Sequence, residues 1–226
     1  MSALQTTAFQ QDLAATAQHL NTVLPASASA TIDRGIYEVA ASGLLAGVLK
    51  PGQAAPDFTL PGADGQLVQL RHLLAQGPVV LTFYRGNWCP YCNVQLRAYQ
   101  QLLPELQQLG ATLVAVSPQT PDFTGLTASE KNLAFPVLSD VGNQVARQYG
   151  LAFGVGTEVA ATLRSLGIDL AEFNGTNADE LPLTATFVIA PDGRVVWQWV
   201  EANFKHRAEP SEILRAVEKA TVAQEV

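Results

Sequence analysis

Cysteine, histidine and charge are all scarce in this 226-residue chain, and each scarcity removes a class of function. There are two cysteines, Cys89 and Cys92, and three histidines, His19, His72 and His206, dispersed along the sequence. Two cysteines do not supply the scattered bridges of a secreted disulfide scaffold. One C-x-x-C without nearby histidines also falls short of the roughly four ligands that zinc takes, so no metal cofactor is expected. Charged residues make up 15%, and thirteen Lys and Arg against twenty Asp and Glu leave a net charge of −7 with no basic run. That balance argues against a nucleic-acid partner. No apolar run approaches the roughly 18 residues of a membrane span. The first twenty residues have neither a basic n-region nor a continuous apolar h-region. No membrane partner and a cytoplasmic location are the expectations.

What is present is apolar: 48% of residues are hydrophobic, enough for a self-sufficient core and too many for disorder. Residues 1–48 read as a helical extension. Leu13, Ala17, Leu20 and Leu24 fall at helical spacing, and Pro25 with Ser27 and Ser29 interrupts the pattern. A second short helix is predicted from Asp33 as N-cap, with Ile36, Ala40 and Leu44 on one face. The stripe suits either packing on the main domain or an arm that joins two copies into a homodimer. With no nucleophile, ligand cluster or phosphate loop, this extension is expected to carry no chemistry.

Residues 49–226 alternate strands, turns and helices and read as one domain. Segments 57–60 and 66–70 flank Pro61-Gly62-Ala63-Asp64-Gly65 as a hairpin, and 78–84 is a buried strand. A helix is predicted from Pro90 to Leu109, closed by Gly110, followed by a strand over 111–117. Loop and helix share 118–133; 135–138 reads as a strand and 143–149 as a helix. Residues 151–183 read as a helix-plus-loop insertion, 186–190 and 194–200 as a second hairpin, and 209–223 as a closing helix. Strands alternating with helices give an α/β class, a central mixed sheet with helices on both faces.

The chemistry concentrates in Thr82-Phe83-Tyr84-Arg85-Gly86-Asn87-Trp88-Cys89-Pro90-Tyr91-Cys92. This places a C-x-x-C after a buried strand and at a helix start, where Pro90 fits the first turn. Free amides and the helix dipole favour a thiolate there. Residues three apart face one another, so Cys89 and Cys92 can close a redox disulfide. Two buried structural thiols are the alternative. Trp88 reads as an apolar lid whose indole N–H finds a partner. Arg207-Ala208-Glu209-Pro210 reads as a helix entry with a local ion pair and no catalytic part.

The strand followed by Trp88-Cys89-Pro90-Tyr91-Cys92 resembles the thioredoxin superfamily. The wider pattern is similar to the peroxiredoxin-like branch of the alkyl hydroperoxide reductase/thiol-specific antioxidant family. It consists of Ala55-Pro56-Asp57-Phe58-Thr59-Leu60, Asp64-Gly65, Phe83-Tyr84-Arg85-Gly86, Leu138-Ser139-Asp140, Tyr149-Gly150 and Thr186-Phe187-Val188-Ile189 with Pro191-Asp192-Gly193. The resemblance implies a thioredoxin-like fold and a thiol-dependent peroxidase without an organic or metal cofactor. It would act on hydrogen peroxide or organic hydroperoxides and be regenerated by thioredoxin or glutathione. A disulfide reductase, or a redox-sensing or partner-binding module without turnover, are the alternatives.

The departures are equally specific. Register from Phe83 puts Cys89 where the family has a threonine and Cys92 on the peroxide-attacking cysteine. Arg85 replaces a proline. Thr184 stands where the family arginine is expected, and it is equally an ordinary strand-entry residue. Arg85 therefore reads either as a substitute for that arginine or as half of a surface salt bridge. The C-x-x-C logic makes Cys89, nearer the helix tip, the attacking thiolate and Cys92 its resolving partner.

Overall fold

The computed structural model describes residues 7–222. Its centre is strand β3 (Val79–Phe83), every residue of which is buried. Alternation sets the two layers, because successive strand side chains point to opposite faces. Val79, Leu81 and Phe83 enter one apolar cluster, while Val80 and the following Tyr84 enter the other. On one side β3 pairs in parallel with β4 (Thr112–Ser117), which pairs in parallel with β5 (Val137–Ser139). On the other it pairs antiparallel with β8 (Ala185–Ile189), whose outer neighbour is β9 (Val195–Val200). The order β5-β4-β3-β8-β9 is the expected central mixed sheet.

Helix α4 (Pro90–Gln108) covers one face with α9 (Pro210–Val222). Its apolar stripe of Val94, Leu96, Tyr99, Leu102, Leu103 and Leu106 is what the sheet buries. The other face is closed by α3 (Leu70–Leu74), α6 (Gln144–Gln148) and Tyr149. The first hairpin is β1 (Thr59–Pro61) against β2 (Leu67–Gln69), as the turn residues predict. Helix α5 (Pro121–Glu130) fills the segment expected to mix loop and helix.

Two expectations need correction. The second N-terminal helix does not start at Asp33. After α1 (Ala8–Val23), helix α2 begins at once and spans Ala26–Ala41 with Pro25 as its N-cap residue. The helical run is interrupted for two residues only, Leu24 and Pro25, because the fixed φ of Pro25 suits the residue that enters a helix and the serines sit in a first turn that tolerates them. Asp33 faces outward instead, paired with Lys205. The insertion at 151–183 also holds more than helix and loop. Strands β6 (Ala152–Gly154) and β7 (Glu180–Pro182) form a short antiparallel ribbon that brackets α7 (Thr157–Ser165) and α8 (Leu170–Asn174). Three-residue strands are too short for periodicity to register.

Both N-terminal helices pack on their own chain. Phe9 and Leu13 of α1 are buried in the cluster that α4 shares with the sheet. Helix α2 lies against α7, where a Cβ on Gly35 would meet the Val159 Cγ2 at 2.7 Å, and Arg34 pairs with Glu158 at 3.3 Å. No helix of the described residues is long and apolar enough to cross a membrane.

Candidate active site

Strand β3 ends at Phe83, and the chain runs through Tyr84 to Trp88 before α4 begins. Gly86 is required there. Its φ is 151°, and an added Cβ would lie 2.5 Å from the Trp88 Nε1, so only glycine lets the indole fold back on the loop. Buried Gln119, after β4, locks the loop reciprocally. The Asn87 N–H donates to its Oε1 at 3.0 Å, and its Nε2 donates to Asn87 Oδ1 at 2.8 Å.

Cys89 is the N-cap residue of α4, Pro90 follows in the first turn, and Cys92 lies within that turn. Both thiols are free and all but inaccessible, at 1% and 0% exposure. The two thiols are close enough to influence each other's ionisation. Cys89 was the expected attacking thiolate, and the guanidinium that touches a sulfur touches Cys92. Burial alone would raise the Cys92 thiol. The Cys89 hydrogen bond, the Arg207 charge, the Arg85 backbone N–H and the Arg85 charge outweigh it and bring Cys92 down to about 5. Burial, with the neighbouring Cys92 thiolate, pushes Cys89 well above the usual thiol range. A helix-tip position favours a thiolate only by the dipole. Cys92 receives that field and a guanidinium as well.

That guanidinium belongs to Arg207, which the sequence reading placed in a local ion pair at a helix entry. It is 3% exposed, and its Nη2 donates to Cys92 Sγ at 3.2 Å. Its Nε donates to Gln95 Oε1 at 2.6 Å and its Nη1 to the His206 carbonyl at 2.7 Å. Gln95 Nε2 in turn donates to Thr82 Oγ1 at 2.8 Å, and that hydroxyl donates to the Ala185 carbonyl at 3.0 Å. A polar rod thus runs from the sheet through α4 to the thiolate. Arg207 was missed because 115 residues separate it from Cys92. A glutamine on the apolar face of α4 was the one visible signal, since an amide buried there needs a partner.

Arg85 is not half of a surface ion pair. It is 6% exposed, and its Cζ sits 3.8 Å from the centre of the Phe204 ring and 4.9 Å from that of Trp88. Burial lowers its pKa, and the charges of Cys89 and Cys92 oppose that. Among the described residues no carboxylate pairs with Arg85 or Arg207, so the negative partner of two buried cations is the thiol pair itself. Trp88 is half-buried over the site, but its indole N–H has no hydrogen-bond partner among the described residues, against expectation. Arg85 Nε and the Thr184 hydroxyl have none either. All three residues, with Cys89, line a cavity of about 250 Å³. Among the described residues no group of three or more His, Cys, Asp or Glu is placed to hold a metal.

The chain is similar to known peroxiredoxins. Over 127 residues, 56% of this chain, it is 32% identical to the chloroplastic peroxiredoxin Q of Triticum aestivum, of which the match spans only 58%. Over 148 residues, 66% of this chain, it is 29% identical to a putative peroxiredoxin of Mycobacterium tuberculosis, covering 83% of that protein. The crystal structure of peroxidoxin BcpB from Mycobacterium tuberculosis superposes with a TM-score of 0.60 at 24% identity, over 76% of this chain and 97% of that one. The fold is thus the thioredoxin-like one that the peroxiredoxin resemblance implies. The AhpC/TSA family model matches residues 51–198, which take in the hairpin, the strand before the thiols and the strand beyond them, and the chain belongs to that family.

Proposed function

We propose that the protein is a thiol-dependent peroxidase, an oxidoreductase in which Cys92 attacks the peroxide and Cys89 resolves the product. One observation carries this reading: the buried Arg207 guanidinium donates to Cys92 Sγ at 3.2 Å, which favours the thiolate on Cys92 over Cys89. The thiolate is the nucleophile, and Cys89, held far above neutral pH, supplies almost none.

In the first step the Cys92 thiolate bonds to one peroxide oxygen and the O–O bond breaks. Sulfur is oxidised to a sulfenic acid, and the departing alkoxide or hydroxide takes a proton from solvent and leaves as an alcohol or water. Cys89 then displaces the sulfenic oxygen, which leaves as water with the Cys89 proton, and the disulfide forms. An external dithiol of the thioredoxin type, or glutathione, returns both thiols and is itself oxidised. The roles are complementary. Cys89 faces the cavity, so an incoming thiol meets its sulfur and expels Cys92, whose low pKa makes it the better leaving group.

The complete burial of Cys92 favours a peroxidase over a disulfide reductase, because a small peroxide reaches an enclosed sulfur that a protein disulfide does not. Cys89, at the cavity, is the sulfur a reductant meets. A pair that works only when reduced suits a reducing compartment such as the cytoplasm. The test is consumption of hydrogen peroxide and of cumene hydroperoxide by the full chain, with dithiothreitol or a thioredoxin system as reductant. Turnover that disappears in Cys92→Ser is expected. Insulin reduction without peroxide turnover would replace this reading by a disulfide reductase, and reversible oxidation without either by a redox sensor.

A further inference from the structure

The N-terminal helices stand outside the AhpC/TSA match, which begins at residue 51, yet they reach the thiols. Ile32, Ile36 and Val39 lie at helical spacing along α2 and line the cavity that ends on Cys89 and Arg85. The only buried residue of this sixteen-residue helix is Ala28. Its apolar stripe is therefore turned toward the open space beside Cys89, where a helix serving only stability would bury it. Val159 and Leu163 of α7 form the facing side. The wall is pinned in place: Gly35 admits the close approach to Val159, Arg34 pairs with Glu158, and Asp33 pairs with Lys205 beyond β9.

The lining of the cavity is of two kinds. Its walls are apolar, while Arg85, Trp88 and Thr184 also line it, and the Arg85 Nε, Trp88 indole N–H and Thr184 hydroxyl are buried without partners among the described residues. Arginine and indole nitrogens only donate, so these groups ask for an acceptor. An apolar cavity of roughly 150 Å³ accepts benzene. About 250 Å³ is room for an aryl or branched alkyl group with oxygens attached.

We propose that Ile32, Ile36 and Val39 of α2, with Val159 and Leu163 of α7, are specificity-determining residues. They hold the bulky apolar group of an organic hydroperoxide while its peroxide oxygens face Arg85, Trp88 and Thr184. The inference rests on the thiol-peroxidase reading above. Hydrogen peroxide has no apolar body and gains nothing from the wall. Removing apolar contact worth one or two methylenes costs about tenfold or more in discrimination.

The experiment uses the full chain with Ile36→Asp, which puts a charge in the wall, and Ile36→Trp, which fills the space. Melting curves confirm that each variant folds. The readout is the kcat/KM for cumene hydroperoxide divided by that for hydrogen peroxide. The ratio is expected to fall at least about fivefold in both folded variants; a smaller change in either overturns the proposal. Calorimetric titration with cumyl alcohol, the unreactive product, separates the two readings. Binding by wild type and its loss in Ile36→Asp, without peroxide turnover by either protein, would refute the peroxidase and leave the wall standing. Failure of wild type to bind cumyl alcohol would overturn the wall while leaving hydrogen peroxide turnover intact.

Discussion

Replacing Arg207 by methionine keeps the length of the side chain and removes the cation that touches Cys92. A hydrogen bond to a charged group contributes about 1.5–3 kcal/mol, and one pKa unit corresponds to about 1.4 kcal/mol. Loss of the 3.2 Å contact should therefore raise Cys92 from about 5 by about one to two units. At pH 7 about half or more of the sulfur stays ionised, and the more basic thiolate is intrinsically the better nucleophile. Alkylation at neutral pH thus changes little, and the rate alone would hide the effect. The assay is a pH titration of thiolate ultraviolet absorbance in a Cys89→Ser background, where the titrating thiol is Cys92. The midpoint should move upward in Arg207→Met and return part of the way in Arg207→Lys, which restores charge without the planar fork. An unmoved midpoint would refute the assignment of Arg207 to the thiolate.

Other outcomes follow from the same contacts. Gln95→Leu removes the acceptor that holds Arg207 Nε at 2.6 Å, and should raise the Cys92 midpoint by less than Arg207→Met does, read by the same titration. Arg85→Met should also raise it by less, because the Arg85 backbone N–H remains on the sulfur and its side-chain charge is the weakest of the lowering influences. Cys92 has a folded pKa near 5, below the ordinary thiol value of about 8.5, so its thiolate stabilises the fold above that range and the contribution is lost as pH falls toward 5. Urea denaturation of the reduced protein should show stability rising by about 1.4 kcal/mol per pH unit between those limits, and Cys92→Ser should remove that part of the slope. Gly86→Ala forces a Cβ to 2.5 Å from the indole at φ 151°, and should cost about 1–3 kcal/mol and shift tryptophan fluorescence; an unchanged Tm would contradict the fit described for the loop.

The parts of the fold that were legible were those whose signal is local. The buried run of β3, the turn residues between β1 and β2, and the Pro90 start and Gly110 stop of α4 all appear at their expected places. The C-x-x-C at the helix start was legible for the same reason. What the site owes to distant chain was not. Arg207 follows the last strand, and nothing in its neighbours says that it turns inward to Cys92. The family register, which puts Cys92 on the attacking cysteine, agrees with the electrostatics better than the helix-tip argument for Cys89. That argument counted the dipole and had no view of the second cation. Thr184, where an arginine was expected, sits buried at the cavity with no partner for its hydroxyl among the described residues, and the guanidinium that touches Cys92 is that of Arg207. Helix α2 was half legible: its stripe was visible, while the cavity it overlooks depends on α7, more than a hundred residues later.

The central claim is that Cys92 meets the peroxide and Cys89 resolves the product. It is tested most directly by mixing each reduced single-serine variant with one equivalent of hydroperoxide in the presence of dimedone and reading the masses. Cys89→Ser should carry one dimedone adduct, on Cys92, and Cys92→Ser should remain unmodified over the same interval. An adduct on Cys89 in Cys92→Ser, with none on Cys92 in Cys89→Ser, would contradict the account.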